Sequence, residues 1–321
     1  MSIKIRDLKE GDVKSSNFLV KSCNVAQSKR GPYLRFILSD GKSDITGFYW
    51  DYDEDDEKFI PEVGSIINVN FSVDEFNDKL NLKIRTYFST PYESADEFRQ
   101  YSSIEFDTLQ SKLNDLIEYY VTNPVHKFIL CSCIKRYPEL MDVPAAKSHH
   151  HDYLHGTLEH SLEVATLAVN IAKSFFTDTN RLDLSLIATG SLLHDLGKAR
   201  CYYFNNIVPD MTDLGKYIDH LVEGVVMLRE VANSVVLPSN LDQDEFDKAI
   251  EKLSHIIASH NEKLEWGSPV KPCFPEALIV ARADNLSYGF KAMCNEIDEQ
   301  RTEWASSKSF TFGTYLHKDL D

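Results

Sequence analysis

Histidine and aspartate residues in the C-terminal two thirds of this chain lie where an apolar helical stripe would direct them into a protein core. His160 precedes Val164, Leu167 and Ala168 by four, seven and eight residues, which is the spacing of one helix face. The same relation to apolar stripes holds for four further positions, namely His194 with Asp195, His220, His260 and Asp284. The sequence therefore predicts five helices that direct imidazoles and carboxylates toward one interior.

These buried groups have the chemistry of metal ligands. A single histidine on an apolar face is usually a hydrogen-bonded core residue, but Asp195 and Asp284 would place two like charges in one interior, which is costly unless they are paired. A divalent cation offsets that cost, and mixed imidazole and carboxylate ligation suits Mn, Fe, Co, Ni or Zn better than Mg. We predict a centre of one or two divalent ions with His160, His194, Asp195 and Asp284 as ligands, and His220 and His260 as additional ligands.

The segment around Asp195 indicates catalysis on a phosphate ester. Gly197 is suited to a helix C-cap, and Lys198 would then project past the metal toward a phosphate oxygen, although a solvated lysine near a helix C-terminus is the simpler interpretation. A bound metal lowers the pKa of water toward ~7 and supplies hydroxide at neutral pH. The predicted catalytic residues are Asp195, as a bridging or water-orienting ligand, and Lys198, as a stabiliser of charge on phosphate oxygens.

Two kinds of element must position these residues. Helical periodicity begins near residue 106 and recurs over 106–123, 157–176, 182–196, 218–236, 244–260 and 275–299. Residues 1–90 instead contain five short β-like runs separated by turn residues, at 18–20, 33–38, 45–50, 66–71 and 80–84, a pattern that favours a small barrel of the OB type. We predict an α+β multidomain chain, with a small N-terminal β-barrel (OB-fold) over 1–90, a linker over 91–105 and an all-α domain over 106–321.

The β half supplies candidates for stacking on nucleic-acid bases, which contributes ~1–3 kcal/mol per base in single-strand binding proteins. These aromatic residues are Tyr33, Phe36, Phe48, Tyr49 and Trp50, and we predict substrate contacts from Tyr33 and Trp50. Strand alternation sends Phe48 and Trp50 to one face and Tyr49 to the other, and the sequence does not decide which face is core. Basic candidates for a phosphate-binding groove are Lys29, Arg30, Arg35, Lys83 and Arg85.

Composition bounds the class of protein. The chain has 321 residues and a formal net charge of −16, which argues against a general coating of polyanions without excluding a local basic groove. The sequence has no apolar run of about 18 residues and no leader pattern, so we expect a cytoplasmic protein with no membrane partner. The six scattered cysteines are expected to be reduced thiols. Whether the chain forms a homo-oligomer stays open.

The predicted ligands resemble those of the HD superfamily of metal-dependent phosphohydrolases, whose pattern of a histidine, a His-Asp pair and a later aspartate is matched by His160, His194-Asp195 and Asp284. Flanking segments resemble the YhaM-type 3′–5′ exoribonucleases at residues 150–160, 215–220 and 259–270. Residues 30–34 and 50–51 resemble the OB domain of that family more loosely. Together these segments extend over nearly the whole chain.

The resemblance implies a function. It implies an OB-fold domain and an HD domain that together degrade single-stranded RNA from the 3′ end and release nucleoside 5′-monophosphates. Single-stranded DNA is the alternative substrate. The resemblance also implies dependence on a divalent metal, often Mn²⁺, and substrate contacts from His150 and His151. Two positions depart from the family pattern: His155 replaces the first of a glycine pair, and Asn261 replaces a histidine. Because Asn261 is the poorer ligand, its presence argues against a fully occupied second metal position.

Two other functions stay open on the sequence. An HD-type phosphohydrolase or phosphodiesterase of free nucleotides would have the same metal ligands. The feature that favours a polymeric substrate over free nucleotides is a barrel that binds single strands. A non-catalytic single-strand-binding protein with a relict HD domain is the alternative from another class, and the intact ligand set argues against it.

Overall fold

The computed structural model describes residues 3–53, 59–76, 79–90, 95–147, 151–175, 179–298, 300 and 302–319. The chain forms two compact units. The first comprises Met1–Gln100, Phe204–Val208 and Glu296–Asp321, and the second comprises Tyr101–Tyr203 and Pro209–Asn295. Within the part of the chain that is described, no helix combines the length and the apolar character needed to cross a membrane.

Five strands of the first unit close into a barrel. They are β1 Val13–Ser28, β2 Gly31–Ser39, β3 Asp44–Tyr49, β4 Ile66–Phe76 and β5 Lys79–Ser89. Their order is β1-β2-β3-β5-β4, and β4 pairs with β1 to close the barrel. The pairing of β3 with β5 is parallel, whereas the other neighbours are antiparallel. A five-stranded Greek-key barrel is the OB architecture, so the fold predicted for the N-terminal region is confirmed.

Alternation along the strands builds the barrel core. On β2, Leu34, Phe36 and Leu38 are fully buried, whereas Tyr33 and Arg35, which alternate with them, face outward. Full burial of each large apolar side chain contributes ~1.5–3 kcal/mol. Gly31 starts β2 with φ 121°, a conformation that favours glycine, and it lies at the turn that the sequence predicts here.

The second unit consists mainly of helices. They are α1 Phe106–Tyr120, α2 Pro124–Arg136, α3 Gly156–Ser174, α4 Leu184–Leu193, α5 Lys198–Cys201, α6 Asp213–Ser234, α7 Gln243–Ser259 and α8 Pro275–Asp298. Side chains that accept backbone N–H groups begin four of them: Asn123, Asp183, Thr212 and Asp242. Residues 185–193 of α4 are all buried, as expected of a central helix that is apolar all round.

The limits of the two units differ in detail from the sequence-based division. Residues 95–98 of the predicted linker form a 3₁₀ turn, and Phe98 is buried in an apolar cluster with Leu19, Ile66, Ile207 and Val208. A hairpin of β6 Tyr202–Asn205 and β7 Val208–Met211 interrupts the helices. The segment Phe204–Val208 of this hairpin groups with the barrel, as does Glu296–Asp321. Periodicity does not predict that these two later segments group with the barrel, because it reports local structure and not which distant segments pack together.

Candidate metal centre

All six predicted ligand residues converge in the interior of the helical unit. His160 lies in α3, the His194-Asp195 pair follows α4, His220 lies in α6, His260 follows α7 and Asp284 lies in α8. Five of them are more than nine-tenths buried, and Asp284 keeps 15% of its side chain exposed. The structure therefore brings together the whole set that the apolar stripes indicate.

The first group of donor atoms includes one oxygen from each aspartate. His160 Nε2 lies 3.0 Å from Asp284 Oδ1 and 3.3 Å from His194 Nε2. His194 Nε2 lies 3.2 Å from Asp195 Oδ2 and 3.8 Å from Asp284 Oδ1. Donor atoms of His160, His194 and Asp284 all lie within 4.8 Å of one another, which is compact enough for one cation.

The other oxygen of Asp195 faces a second group. His220 Nε2 lies 3.3 Å and His260 Nε2 lies 3.7 Å from Asp195 Oδ1. Asp195 Oδ1 is buried and has no hydrogen-bond partner among the described residues. A buried carboxylate oxygen in that condition is costly, and a cation would remove the cost. Asp195 lies between both groups, as a bridging ligand must.

Two of the histidine rings are held by backbone carbonyls with Nε2 directed inward. His194 Nδ1 lies 2.7 Å from the carbonyl oxygen of Ser191, and His260 Nδ1 lies 2.8 Å from that of Ile257. Because a carbonyl oxygen accepts a hydrogen, these contacts place the N–H at Nδ1 and leave the Nε2 lone pair for a metal. Both residues directly follow a helix, where carbonyls of the last turn lack intrahelical partners.

His160 is oriented through a serine. Ser287 Oγ lies 3.3 Å from His160 Nδ1 and donates a 3.0 Å hydrogen bond to Glu163 Oε2, so its oxygen can accept the Nδ1–H. Ser287 and Glu163 are not among the residues predicted from the sequence. Their spacing could have indicated them, because Glu163 lies three residues after His160, and Ser287 three after Asp284, which is the spacing of neighbours on one helix face.

The electrostatics of the centre favour positive charge. Burial would raise the pKa of Asp195, but His194 and Lys198 hold that pKa well below its ordinary value. Burial also opposes ionisation of Asp284, whose pKa is nevertheless lowered by the hydrogen bond from His160 and by His194. The pKa of His194 is raised despite burial, because Asp195 and Asp284 stabilise its charged form. Ionised carboxylates with inward-facing imidazoles are a donor set that fits a divalent cation.

A close backbone approach positions the turn that carries Asp195. Gly197 has right-handed angles, φ −63° and ψ −20°, and directly precedes α5, whereas His194 is the C-cap of α4, so its predicted role as a C-cap is wrong. A Cβ at Gly197 would lie 2.0 Å from the carbonyl oxygen of His220 and 2.6 Å from the nitrogen of Gly224. Glycine is needed because α6 packs directly against this turn, and that packing brings His220 to Asp195.

Lys198 is buried beside the same centre. Its Nζ donates a 2.7 Å hydrogen bond to Asp195 Oδ2, and 7% of the residue is exposed. The simpler interpretation, a solvated lysine at a helix end, is therefore wrong. Its contact with a phosphate oxygen stays a prediction.

Two histidines that precede α3 are predicted to contact the substrate. His150 lies outside the described residues. The side chain of His151 is fully buried, with Nε2 3.4 Å from Glu163 Oε2 and 3.7 Å from Glu159 Oε1. Its contact with the substrate stays a prediction. Glu159 also accepts a 2.8 Å hydrogen bond from the hydroxyl of Tyr153.

The two departures from the YhaM-type pattern have structural explanations. The amide of Asn261 donates a 3.0 Å hydrogen bond to the carbonyl of Trp266, which is a structural role in the loop after α7. His155 has φ 65°, in the left-handed region that favours glycine. Its ring stacks on Phe106 with centroids 4.3 Å apart, and its Nδ1 lies 2.9 Å from the carbonyl of Met141. These contacts offset the backbone cost at His155.

The barrel carries three neighbouring aromatic rings on its outer surface. The ring centroids of Tyr33 and Phe48 lie 4.4 Å and 5.7 Å from that of Trp50, and Trp50 is 46% exposed. Phe36 and Tyr49 instead belong to the barrel core, so they are wrong as stacking candidates. Strand alternation predicts which residues share a face of the sheet, and the structure shows that the face with Tyr49 lines the barrel core.

Basic residues flank these aromatic rings. Arg35 on β2 pairs with Phe48 on β3, and Phe48 pairs with Lys83 on β5. Arg35, Lys83 and Arg85 are exposed. A local strip of cationic and aromatic side chains, here called the aromatic strip (Tyr33, Arg35, Phe48, Trp50, Lys83 and Arg85), therefore crosses the barrel of a chain whose net charge is −16.

The buried histidine–aspartate centre and the barrel define a hydrolase of the metal-dependent HD class with an OB-fold domain. The HD domain family model matches residues 157–289, and a family model described as "Putative helicase" matches residues 106–199. A 3′–5′ exoribonuclease YhaM from Oceanobacillus iheyensis is 30% identical over 83% of this chain and 81% of its own length. The same-named protein of Halalkalibacterium halodurans is 28% identical over 97% and 96%, and that of Bacillus subtilis 28% over 86% and 85%. The chain belongs to the YhaM family of 3′–5′ exoribonucleases.

Among solved structures, the second OB-fold domain of replication protein A from Methanococcus maripaludis is similar to part of the chain. It is 17% identical, has a TM-score of 0.23, and covers 29% of this chain and 99% of that domain. The assignment of the barrel depends on its own strand order and not on this likeness.

Proposed function

We propose that this protein is a metal-dependent 3′–5′ exoribonuclease, which hydrolyses the phosphodiester bonds of single-stranded RNA and releases nucleoside 5′-monophosphates. The observation that carries the proposal is the buried cluster around Asp195, where four imidazoles direct Nε2 toward two ionised carboxylates. This cluster lies within a chain of the YhaM family.

The residues of the centre would hold two divalent ions. His160, His194, Asp195 and Asp284 would hold one divalent ion, and Asp195, His220 and His260 would hold a second. When bound, such an ion polarises the phosphate and lowers the pKa of a water molecule. Imidazole and carboxylate donors suit a first-row transition ion, and Mn²⁺ is the ion to test first.

The chain's own residues supply the remaining chemistry. Asp195 stays ionised at neutral pH because His194 and Lys198 lower its pKa, so it can accept a hydrogen bond from the attacking water and orient it. Lys198 places an ammonium group 2.7 Å from Asp195 Oδ2, where it can stabilise charge that develops on non-bridging phosphate oxygens. Burial strengthens both effects, since charges interact more strongly away from water.

Strand binding is assigned to the aromatic strip. Tyr33, Phe48 and Trp50 present rings on which bases can stack, and Arg35 and Lys83 lie in register beside Phe48. Stacking contributes ~1–3 kcal/mol per base and is tolerant of sequence, and cationic side chains neutralise phosphates. A surface of this kind serves a polymer better than a free nucleotide. Since stacking does not read the sugar, single-stranded DNA is expected as a second substrate.

The activity is tested with a single-stranded RNA that carries a 5′ label. In the presence of Mn²⁺ we expect shortening from the 3′ end in steps of one nucleotide, with nucleoside 5′-monophosphates as the products in chromatography. Internal cuts, or nucleoside 3′-monophosphates, would contradict the proposal.

The role of the aromatic strip is tested with Trp50→Ala. Loss of ~1–3 kcal/mol of stacking predicts a KM for RNA raised about 5–150-fold, while hydrolysis of bis(p-nitrophenyl) phosphate stays unchanged. Phe88→Ala is the matched control, because Phe88 is also exposed but pairs with Asn68 of β4 on another part of the barrel. Equal loss on RNA and on the small ester would instead favour a hydrolase of free nucleotides.

A further inference from the structure

His220 is held differently from its neighbours in the centre. His194 and His260 each follow a helix and bond a backbone carbonyl through Nδ1. His220 lies inside α6 and instead uses the side chain of the residue before it. Asp219 Oδ1 accepts hydrogen bonds from both the Nδ1 and the backbone N–H of His220.

This contact requires an unusual backbone. Successive side chains of a regular helix are turned about 100° apart, so adjacent residues do not face each other. Asp219 has φ 60° and ψ 163°, which breaks the helical conformation within α6. That combination of angles is occupied almost entirely by glycine, so an aspartate there carries strain. The reach of its carboxylate to His220 depends on that strained conformation.

The opposite side of the His220 ring faces the centre. His220 Nε2 lies 3.3 Å from Asp195 Oδ1. A carboxylate on Nδ1 fixes the tautomer and ring orientation of a metal-binding histidine and makes it a stronger ligand. The Asp219 side chain is 51% exposed, so packing does not explain its conformation.

We propose that Asp219 is a positioning residue, whose strained backbone is retained because its carboxylate aims His220 at the second group of metal donors. The inference rests on the proposed metal-dependent function. It predicts that fold stability and metal affinity respond in opposite directions when Asp219 is replaced by glycine.

Asp219→Gly separates the two effects. Relief of strain should raise the Tm of the metal-free protein by about 2 °C or more, although glycine inside a helix usually lowers stability. Loss of the acceptor should weaken Mn²⁺ binding at the second group ~10–100-fold in isothermal titration calorimetry. The matched control is Asp115→Gly, at an exposed position in α1, which should lower the Tm and leave Mn²⁺ binding unchanged.

Asp219→Asn keeps an oxygen that can accept both hydrogen bonds, so it should retain most of the Mn²⁺ affinity and a Tm close to that of the wild type. A Tm of Asp219→Gly at or below wild type would overturn the assignment of strain. Unchanged Mn²⁺ affinity in Asp219→Gly would overturn the positioning role alone. Absence of Mn²⁺ binding by the wild-type protein would overturn this role and the proposed function together, whereas Mn²⁺ binding without RNA hydrolysis would overturn only the proposed function.

Discussion

Replacement of Gly197 by alanine is expected to disturb the metal centre without changing a ligand. The new Cβ would lie 2.0 Å from the carbonyl oxygen of His220 and 2.6 Å from the nitrogen of Gly224, whereas real Cβ atoms essentially never come closer than 3.0 Å to another atom. Both neighbours are backbone atoms, so a side-chain rotation cannot relieve the contact. The turn and α6 must therefore separate by about 1 Å, which lengthens the 3.3 Å approach of His220 Nε2 to Asp195 Oδ1.

Two magnitudes follow from this displacement. Overpacking costs ~1–3 kcal/mol, so we expect the metal-free Gly197→Ala protein to lose about that much free energy of unfolding in urea titrations. A misplacement near 1 Å lowers rates ~100-fold, so kcat on RNA with Mn²⁺ should fall by about that factor. Gly289→Ala in α8, where nothing lies within 4 Å of the added Cβ, should instead raise stability by ~0.5–1 kcal/mol. Wild-type stability and kcat in Gly197→Ala would refute the assigned role of this glycine.

Three further changes test the histidines and their supports. Burial lowers the pKa of His260 to about 3, against ~6.5 in an unfolded chain, so between these values the unfolded state binds more protons and stability falls as pH falls. His260→Gln should flatten the slope of unfolding free energy against pH by up to about 1.4 kcal/mol per pH unit. An unchanged slope in urea titrations from pH 7 to 4 would contradict this. Ser287→Ala removes the group 3.3 Å from His160 Nδ1 and should weaken Mn²⁺ binding ~10–100-fold in calorimetry, a prediction that wild-type affinity would exclude. Tyr153→Phe removes the 2.8 Å donor to buried Glu159 and should lower the free energy of unfolding by ~1–3 kcal/mol; equal unfolding midpoints would show that Glu159 does not depend on this bond.

The ligands of the centre could be predicted because each lies on the apolar stripe of its own helix. Helical periodicity relates a residue to neighbours three, four and seven positions away, so the inward direction of His160 and Asp284 could be inferred without knowledge of the other helices. Strand alternation likewise placed Phe48 and Trp50 on one face. It could not identify the core face, because that depends on which side the barrel closes.

Other features depend on segments that are distant in sequence or on backbone angles that no pattern reports. The need for Gly197 arises from α6, and His151 lies buried beside two carboxylates of α3. The conformation of Asp219 was not predictable either, since an aspartate before a histidine in a helical stretch gives no sign of φ 60°. These features surround a centre whose ligands the sequence already indicates.

We propose that Asp195 joins two groups of donors into one divalent metal centre that hydrolyses RNA. This role is tested by measuring Mn²⁺ binding and RNA hydrolysis side by side in the wild type and in Asp195→Asn. We expect the wild type to bind Mn²⁺ and shorten RNA from the 3′ end, and Asp195→Asn to keep its helical circular dichroism while it loses both properties. An Asp195→Asn protein that binds Mn²⁺ and shortens RNA at the wild-type rate would contradict the assignment of this centre.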